Sequence, residues 1–131
     1  MPSSTKIFKL YKNLLDIANT EFSAVVESGV ILLSQSGEPW KLRLVLYDGS
    51  FMDVHYSVTG RYSYHWDRRL LDGKIYRHDN APHHTGKGIS GFPKHFHDGS
   101  DVIVVPSTIS DDPEIAIREI LRFAVKYLTD D

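Results

Sequence analysis

The sequence contains no cysteine, which excludes both a disulfide framework and thiolate ligands for a metal ion. It also lacks long hydrophobic runs. The longest, residues 30–33 and 102–105, are far shorter than the ~20 residues that a membrane-spanning helix needs. The N-terminus does not have the charged and then apolar pattern of a signal peptide. We therefore expect a cytoplasmic protein that does not interact with a membrane.

Internal repeats and low-complexity tracts are also absent, and 131 residues is an ordinary length for one domain. A chain of this size buries roughly two-thirds of the surface that its unfolded form exposes, so it needs no covalent staples in order to fold. The sequence therefore predicts a single domain over residues 1–131.

The formal net charge of −2 conceals an uneven distribution. Residues 61–97 contain 7 basic and 3 acidic residues, a net charge of +4, so the remainder carries −6. A basic centre in an acidic body attracts an anion such as a phosphate group or an RNA backbone. Chance clustering of charges on a solvated surface would give the same count, and this is the alternative to an anion-binding site.

Apolar residues recur at three-and-four spacing over residues 7–18, which predicts an N-terminal helix capped by a hydroxyl side chain among residues 3–5. Near the other end of the chain, Asp112 and Pro113 are typical of a helix start. The apolar stripe over residues 117–128 continues this second helix.

Alternating apolar residues and short turns predict strands between the two helices. These strands are 22–33 (with a bulge or turn at 27–29), 42–47, 52–58, 61–69, 74–78 and 102–105. Residues 79–101 have no periodicity and are interpreted as a long functional or mobile loop. The fold class is therefore predicted to be α+β: an antiparallel meander of about five to six strands, with both helices packed on one face.

All seven histidines lie between His55 and His97, and five of them lie in residues 78–97. Imidazole has a pKa of about 6.5, so it exchanges protons near neutrality and its neutral form binds transition metals. One chemistry that uses such a cluster is metal-free cleavage of RNA. In that reaction a base removes the 2′-hydroxyl proton, an acid protonates the leaving oxygen, and cations stabilise the phosphoryl charge.

His65 is the histidine best placed for such a role by the strand pattern. It alternates onto the face opposite Tyr62, Tyr64 and Trp66, which we interpret as core residues rather than as a platform for stacked bases. Asp67 is its carboxylate neighbour and would raise the pKa of His65 if the two side chains are close. The alternative to a catalytic role is that His65 is a solvent-exposed surface residue without a function.

Metal binding is the second chemistry. His95 and His97 form an H-x-H pair, which on a strand places both rings on one face, close enough to share an ion. Further ligands could come from His83, His84, Asp79 or His78. Zinc, nickel or manganese would suit such nitrogen and oxygen ligands. No H-E-x-x-H motif is present.

Three segments resemble the toxin family named TumE: residues 62–66 (YSYHW), 77–84 (RHDNAPHH) and 92–97 (FPKHFH). Members of that family are small prokaryotic proteins that are usually encoded beside an antitoxin gene. The resemblance implies a type II toxin that a cognate antitoxin protein neutralises, with RNA as the expected substrate. Lys94 stands where a third histidine is expected, and Asp67 stands where an amide is expected.

The family's motifs, carried over residue by residue, together with the nearby cations give the predicted site. The candidate catalytic residues are His65, Asp79, His83, His84, His95 and His97. The candidate substrate-binding residues are Tyr64, Arg77, Asn80 and Lys94.

Three functional hypotheses follow. The first is a metal-independent ribonuclease without a cofactor, in which His65, His83 and His97 exchange protons. The second is a metal-dependent nuclease or other hydrolase built on His83, His95 and His97. The third is a non-catalytic module whose basic segment binds an antitoxin or a nucleic acid. A homodimer is compatible with each of them.

Overall fold

The computed structural model describes residues 3–82 and 88–130. Two helices, α1 (Ser4–Glu21) and α2 (Pro113–Thr129), lie at the two ends of the chain. Between them run the strands β1 (Val26–Leu33), β2 (Pro39–Leu46), β3 (Phe51–Tyr56), β4 (Tyr62–Arg68), β5 (Lys74–Asp79), β6 (His95–Gly99) and β7 (Val104–Pro106). Over the described ranges, no helix has the length and apolar character needed to cross a membrane.

Both helices begin where the sequence predicts, because a side chain caps each one. The Ser3 hydroxyl accepts a hydrogen bond from the Lys6 amide at 3.3 Å. The Asp112 carboxylate accepts one from the Glu114 amide at 2.9 Å, and Pro113 occupies the first turn, where its missing N–H costs nothing.

The strands form one antiparallel sheet in sequential order from β1 to β7, so the α+β class and the meander are confirmed. The sheet has seven strands, not five to six. The strand without a counterpart in the prediction is β6, which lies inside the segment that we interpreted as a loop. Its two buried residues on one face are His95 and His97, so the strand shows no hydrophobic alternation.

The break predicted at residues 27–29 is a β-bulge, because the pairing of β1 with β2 shifts register between Val26 and Ser28. The next residue, Gly29, lies directly against the side chains of Leu15 and Leu44. A Cβ atom at this position would collide with Leu15 and would lie 3.0 Å from Leu44 Cδ2. Glycine therefore allows α1 to approach the sheet closely.

One face of the sheet is packed against both helices. On β4 the residues that point to this face are Tyr62, Tyr64 and Trp66, which are 8%, 0% and 0% exposed. Phe123 and Tyr127 of α2 meet the Trp66 ring edge to face. The prediction that both helices share one face, with the aromatic residues in the core, is confirmed. The intervening residues of β4 point to the opposite face, which carries the polar side chains.

Two isoleucines of α2 provide a direct test of this packing. Ile117 is fully buried, whereas Ile115 on the same helix is 49% exposed. We predict that Ile117→Ala lowers the free energy of unfolding by about 2–5 kcal/mol, because it removes buried methyl groups and leaves a cavity. Ile115→Ala should change it by no more than about 0.5 kcal/mol. Urea unfolding of both variants measures the difference, and equal losses would contradict the packing described above.

Candidate functional site

Polar side chains form two neighbouring rows across the face of the sheet that is opposite the helices. The register of the strands aligns the first row as Arg43, Asp53, His65, Arg77 and His97, one residue from each of β2 to β6. The second row runs from β3 to β6 through His55, Ser63, Asp79 and His95. Adjacent members of a row have Cα atoms about 5 Å apart. The sheet therefore gathers residues that are far apart in the sequence.

An open groove crosses this polar face from β2 to β5, with His65 and Arg77 among its lining residues. Its other cations are Lys41, Arg43 and Arg69. The same groove contains two carboxylates, those of Asp53 and Asp67, and two aromatic residues, Trp40 and Phe51. The cations outnumber the carboxylates, so the groove attracts anions.

Among the described residues, each of the four cations that line the groove is paired with a carboxylate. Asp53 accepts from Lys41 Nζ at 2.9 Å and from Arg43 Nε at 2.8 Å. Burial raises the pKa of Asp53, but the hydrogen bonds from Arg43 and Lys41 outweigh it and bring the pKa below its ordinary value. Asp67 pairs with Arg69 Nη2 at 2.6 Å. These pairs fix the positions of the charged groups in the groove.

The pKa of His65 is lowered, chiefly by burial and then by the positive charge of Arg77. The carboxylate of Asp67, 3.7 Å from His65 Nε2, raises the pKa of the imidazole, as predicted. This effect is smaller than the combined lowering by burial and Arg77, so the net shift is downward. Asp67 is already paired with Arg69, which weakens its effect on the ring. His65 is consequently neutral at pH 7 and able to accept a proton.

Beside the groove, Asp79, His95 and His97 form a buried cluster, with exposures of 4%, 0% and 4%. Asp79 Oδ1 lies 3.1 Å from His95 Nε2, and Asp79 Oδ2 lies 3.9 Å from His97 Nε2. The two imidazole rings have centroids 5.0 Å apart, as expected for an H-x-H pair on a strand. Two nitrogens and one carboxylate are a set that could hold a metal ion.

Arg77 connects the groove and the cluster. Its Nε donates to Asp79 Oδ2 at 3.1 Å, and its Nη2 lies 3.3 Å from Asp101 Oδ1. Its neighbours across the sheet are His65 on one side and His97 on the other. The predicted phosphate-binding arginine therefore lies between the two predicted acid–base histidines.

His97 itself is not among the residues that line the groove. Its Cα lies two strands from that of His65, a separation of roughly 10 Å. Together the two histidines and Arg77 form a line, with His65 facing the open groove and His97 buried. The predicted histidines His83 and His84 lie outside the described residues.

Three predicted substrate-binding residues make internal contacts. Tyr64 is fully buried on the helix-covered face, and its hydroxyl contacts that of Tyr56. Asn80 accepts from the Tyr62 amide at 2.9 Å. Lys94 contacts the carbonyl of Ile109. None of the three lines the groove, and their contact with a substrate stays a prediction.

His78, which we considered as a further metal ligand, also points away from the cluster. Its ring stacks on Phe96 at 4.1 Å, and its Nδ1 lies 2.7 Å from Ser107 Oγ. Burial is the main reason that its pKa falls to about 4. This histidine belongs to the packed side of the sheet.

The sequence analysis missed the part of the groove that lies on β2 and β3. Lys41 and Arg43 alternate with buried leucines, so their place on the polar face could have been found from the strand period. Trp40 is 50% exposed, and the Lys41 ammonium lies 4.3 Å from the centre of its ring. The alternation of apolar residues gave no indication of its place at the groove.

Comparison with known families agrees with the resemblance in the sequence. The model of the family described as Toxin TumE matches residues 14–128, which is most of the chain. Searches of curated proteins and of solved structures gave no match. The chain therefore belongs to the TumE family and is a toxin of a toxin–antitoxin system.

Proposed function

We propose that this toxin cleaves RNA in the groove of the polar face, with His65 as the general base. The observation that carries the proposal is the position of His65 next to Arg77 in a groove whose lining cations exceed its carboxylates, where burial and Arg77 lower the pKa of the imidazole. Membership of the toxin family implies an antitoxin partner. That the antitoxin is a protein, as in type II systems, is part of the proposal.

The reaction begins when the Nε2 or Nδ1 lone pair of neutral His65 takes the proton of the ribose 2′-hydroxyl. The 2′-oxygen then bonds to the adjacent phosphorus, and the bond from phosphorus to the 5′-oxygen breaks. Arg77 stabilises the charge that develops on the phosphoryl oxygens. The products are a 2′,3′-cyclic phosphate and a 5′-hydroxyl, whose proton comes from a general acid. The other two histidines predicted to exchange protons, His83 and His97, are the candidates for this acid.

The rim of the groove supports single-stranded RNA as the substrate class. Trp40, which is 50% exposed, lines the groove together with Lys41 and Arg43. An aromatic ring next to cations binds a base by stacking while the cations hold the backbone. In-line attack by a 2′-hydroxyl also requires a flexible, unpaired strand, because the ribose must rotate into line with the leaving oxygen.

A metal-dependent nuclease is a second candidate, and the cluster of Asp79, His95 and His97 favours it. The two candidates differ in their response to chelation. RNA cleavage that persists in EDTA supports the metal-independent reaction, whereas cleavage that EDTA abolishes and metal restores supports the second. Tight RNA binding without turnover in either condition would leave only an interaction module.

Replacement of His65 tests the proposed base. We predict that His65→Ala lowers the rate of RNA cleavage by roughly 10²–10⁴-fold, because the 2′-hydroxyl loses its proton acceptor. His78→Gln is the matched control, since His78 is a histidine on the packed side of the sheet and does not line the groove. It should retain most of the wild-type rate. Purified proteins with equal circular dichroism spectra are compared on one labelled RNA, and full activity of His65→Ala would refute the role of this residue.

The pH dependence of cleavage is a second test. The base acts in its neutral form and its pKa lies below the usual value, so kcat/KM should be constant near pH 7. It should fall as the pH decreases through a midpoint below about 6.5. In Arg77→Gln, a positive charge that lowers the pKa of His65 is gone. The midpoint of the fall in kcat/KM at low pH should therefore move to higher pH in this variant, even if the variant's maximum rate is lower. A shift to lower pH would contradict this assignment.

Expression in cells tests the toxin and nuclease parts separately. We predict that the chain arrests growth and degrades cellular RNA, and that co-expression of the neighbouring antitoxin gene relieves both effects. The His65→Ala variant, expressed at equal abundance, should neither arrest growth nor degrade RNA. Arrest with intact RNA would retain the toxin and remove the ribonuclease.

A further inference from the structure

We propose that Asp79, His95 and His97 bind a divalent first-row transition-metal ion. The inference does not depend on RNA cleavage, because it concerns only the chemistry of the three side chains. The three residues lie on two paired strands, with Asp79 of β5 directly opposite His95 of β6. His97 follows on the same face of β6, two residues further along.

The backbone fixes which nitrogen of each ring faces Asp79. His95 Nδ1 lies 2.7 Å from the carbonyl oxygen of Pro93, and His97 Nδ1 lies 3.0 Å from that of Asp101. A carbonyl oxygen only accepts, so each Nδ1 carries the hydrogen. The Nε2 lone pairs are therefore directed at the carboxylate. This arrangement, Nδ1–H on a backbone carbonyl and Nε2 toward the ion, is the usual one for metal-binding histidines.

His97 Nε2 is the strongest single observation. The residue is 4% exposed, and among the described residues this nitrogen has no hydrogen-bond partner. A buried nitrogen without a partner loses the hydrogen bonds that it would make to water, which is costly. It points toward Asp79 Oδ2 at 3.9 Å, and two acceptors cannot bond to each other. An ion between the two atoms would satisfy both.

The spacing of the ligand atoms fits one small ion. Two ligands bound at about 2.1 Å to a tetrahedral ion are about 3.4 Å apart. The distance from Asp79 Oδ1 to His95 Nε2 is 3.1 Å and that from Asp79 Oδ2 to His97 Nε2 is 3.9 Å, so each pair is close to that value. One atom from each residue lies within 4.8 Å of the other two. Coordination of one ion by all three residues would draw these atoms closer together through rotation of the side chains.

Asp79 retains the lone pairs that coordination requires. Its Oδ1 accepts the Ala81 amide at 3.0 Å, and its Oδ2 accepts Arg77 Nε at 3.1 Å. A carboxylate oxygen has two lone pairs, so each still has one for a metal. Arg77 is the competing cation, but it is 27% exposed and also contacts Asp101. It can therefore remain in place as an outer-shell partner.

The ligand types select the class of ion. Two imidazole nitrogens and one carboxylate oxygen suit zinc, manganese, iron, cobalt or nickel, whereas magnesium and calcium prefer oxygen ligands throughout. Three protein ligands leave at least one position for water.

Metal titration of the purified full chain tests the proposal. After dialysis against EDTA and then buffer, the protein is titrated with ZnCl2 by calorimetry. It is also titrated with CoCl2, which reports its coordination by visible absorption. We expect near one equivalent of tight binding. His97→Gln and Asp79→Asn should weaken it by more than the roughly 10–100-fold that loss of an outer-shell partner costs. The histidine control His55→Gln should bind like the wild type.

Imidazole nitrogen resonances of the wild-type protein keep the test valid even where a variant fails to fold. In a 15N-labelled sample, substoichiometric zinc should shift the Nε2 signals of His95 and His97 before those of His55 and His65. Binding confined to other histidines, or the absence of tight binding of both zinc and cobalt, would overturn the proposal. Failure here would leave RNA cleavage in EDTA unaffected, so the two proposals fail separately.

Discussion

The antiparallel register of the sheet is the constraint on which the site depends. Side chains alternate between faces, so one residue of slippage would exchange the core and the polar rows. The leucines, Tyr64 and Trp66 on the helix-covered face prevent such a shift, because their burial is lost if the strands slide. Hydrophobic packing on one side thus places His65, Arg77 and His97 in line on the other. The hydrophobic core and the proposed functional site therefore lie on opposite faces of the same strands.

Arg77 couples two environments of different character. On one side lies an open groove, where paired charges, an exposed indole and a neutral imidazole face the solvent. On the other side lies a cluster of two imidazoles and a carboxylate that are almost completely buried. The guanidinium lowers the pKa of His65 and also donates to Asp79. A change in the charge of the cluster, such as metal binding, is therefore expected to be felt at His65 through this arginine.

The helices and six of the seven strands could be predicted because each one follows a local rule. Ser3 and Asp112 cap helices, and the apolar stripes and alternations mark the buried faces. Strand β6 could not be predicted in this way. Its buried face carries two imidazoles at the positions where the alternation of a half-buried strand would place apolar residues. Histidine density identified the region of the cluster. It did not identify β2 and β3 as the other wall of the groove, because their contribution depends on pairing between distant segments. Burial of Tyr64 on the packed face likewise becomes clear only in the assembled sheet.

The central claim is that the polar face, and not the helices, receives RNA. Cross-linking of a 4-thiouridine-labelled single-stranded RNA to the His65→Ala variant measures this most directly, since that variant should bind RNA without cutting it. The cross-linked peptides should come from β2 to β5 and include Trp40. Cross-links confined to α1 or α2, or protein that forms none, would contradict this claim.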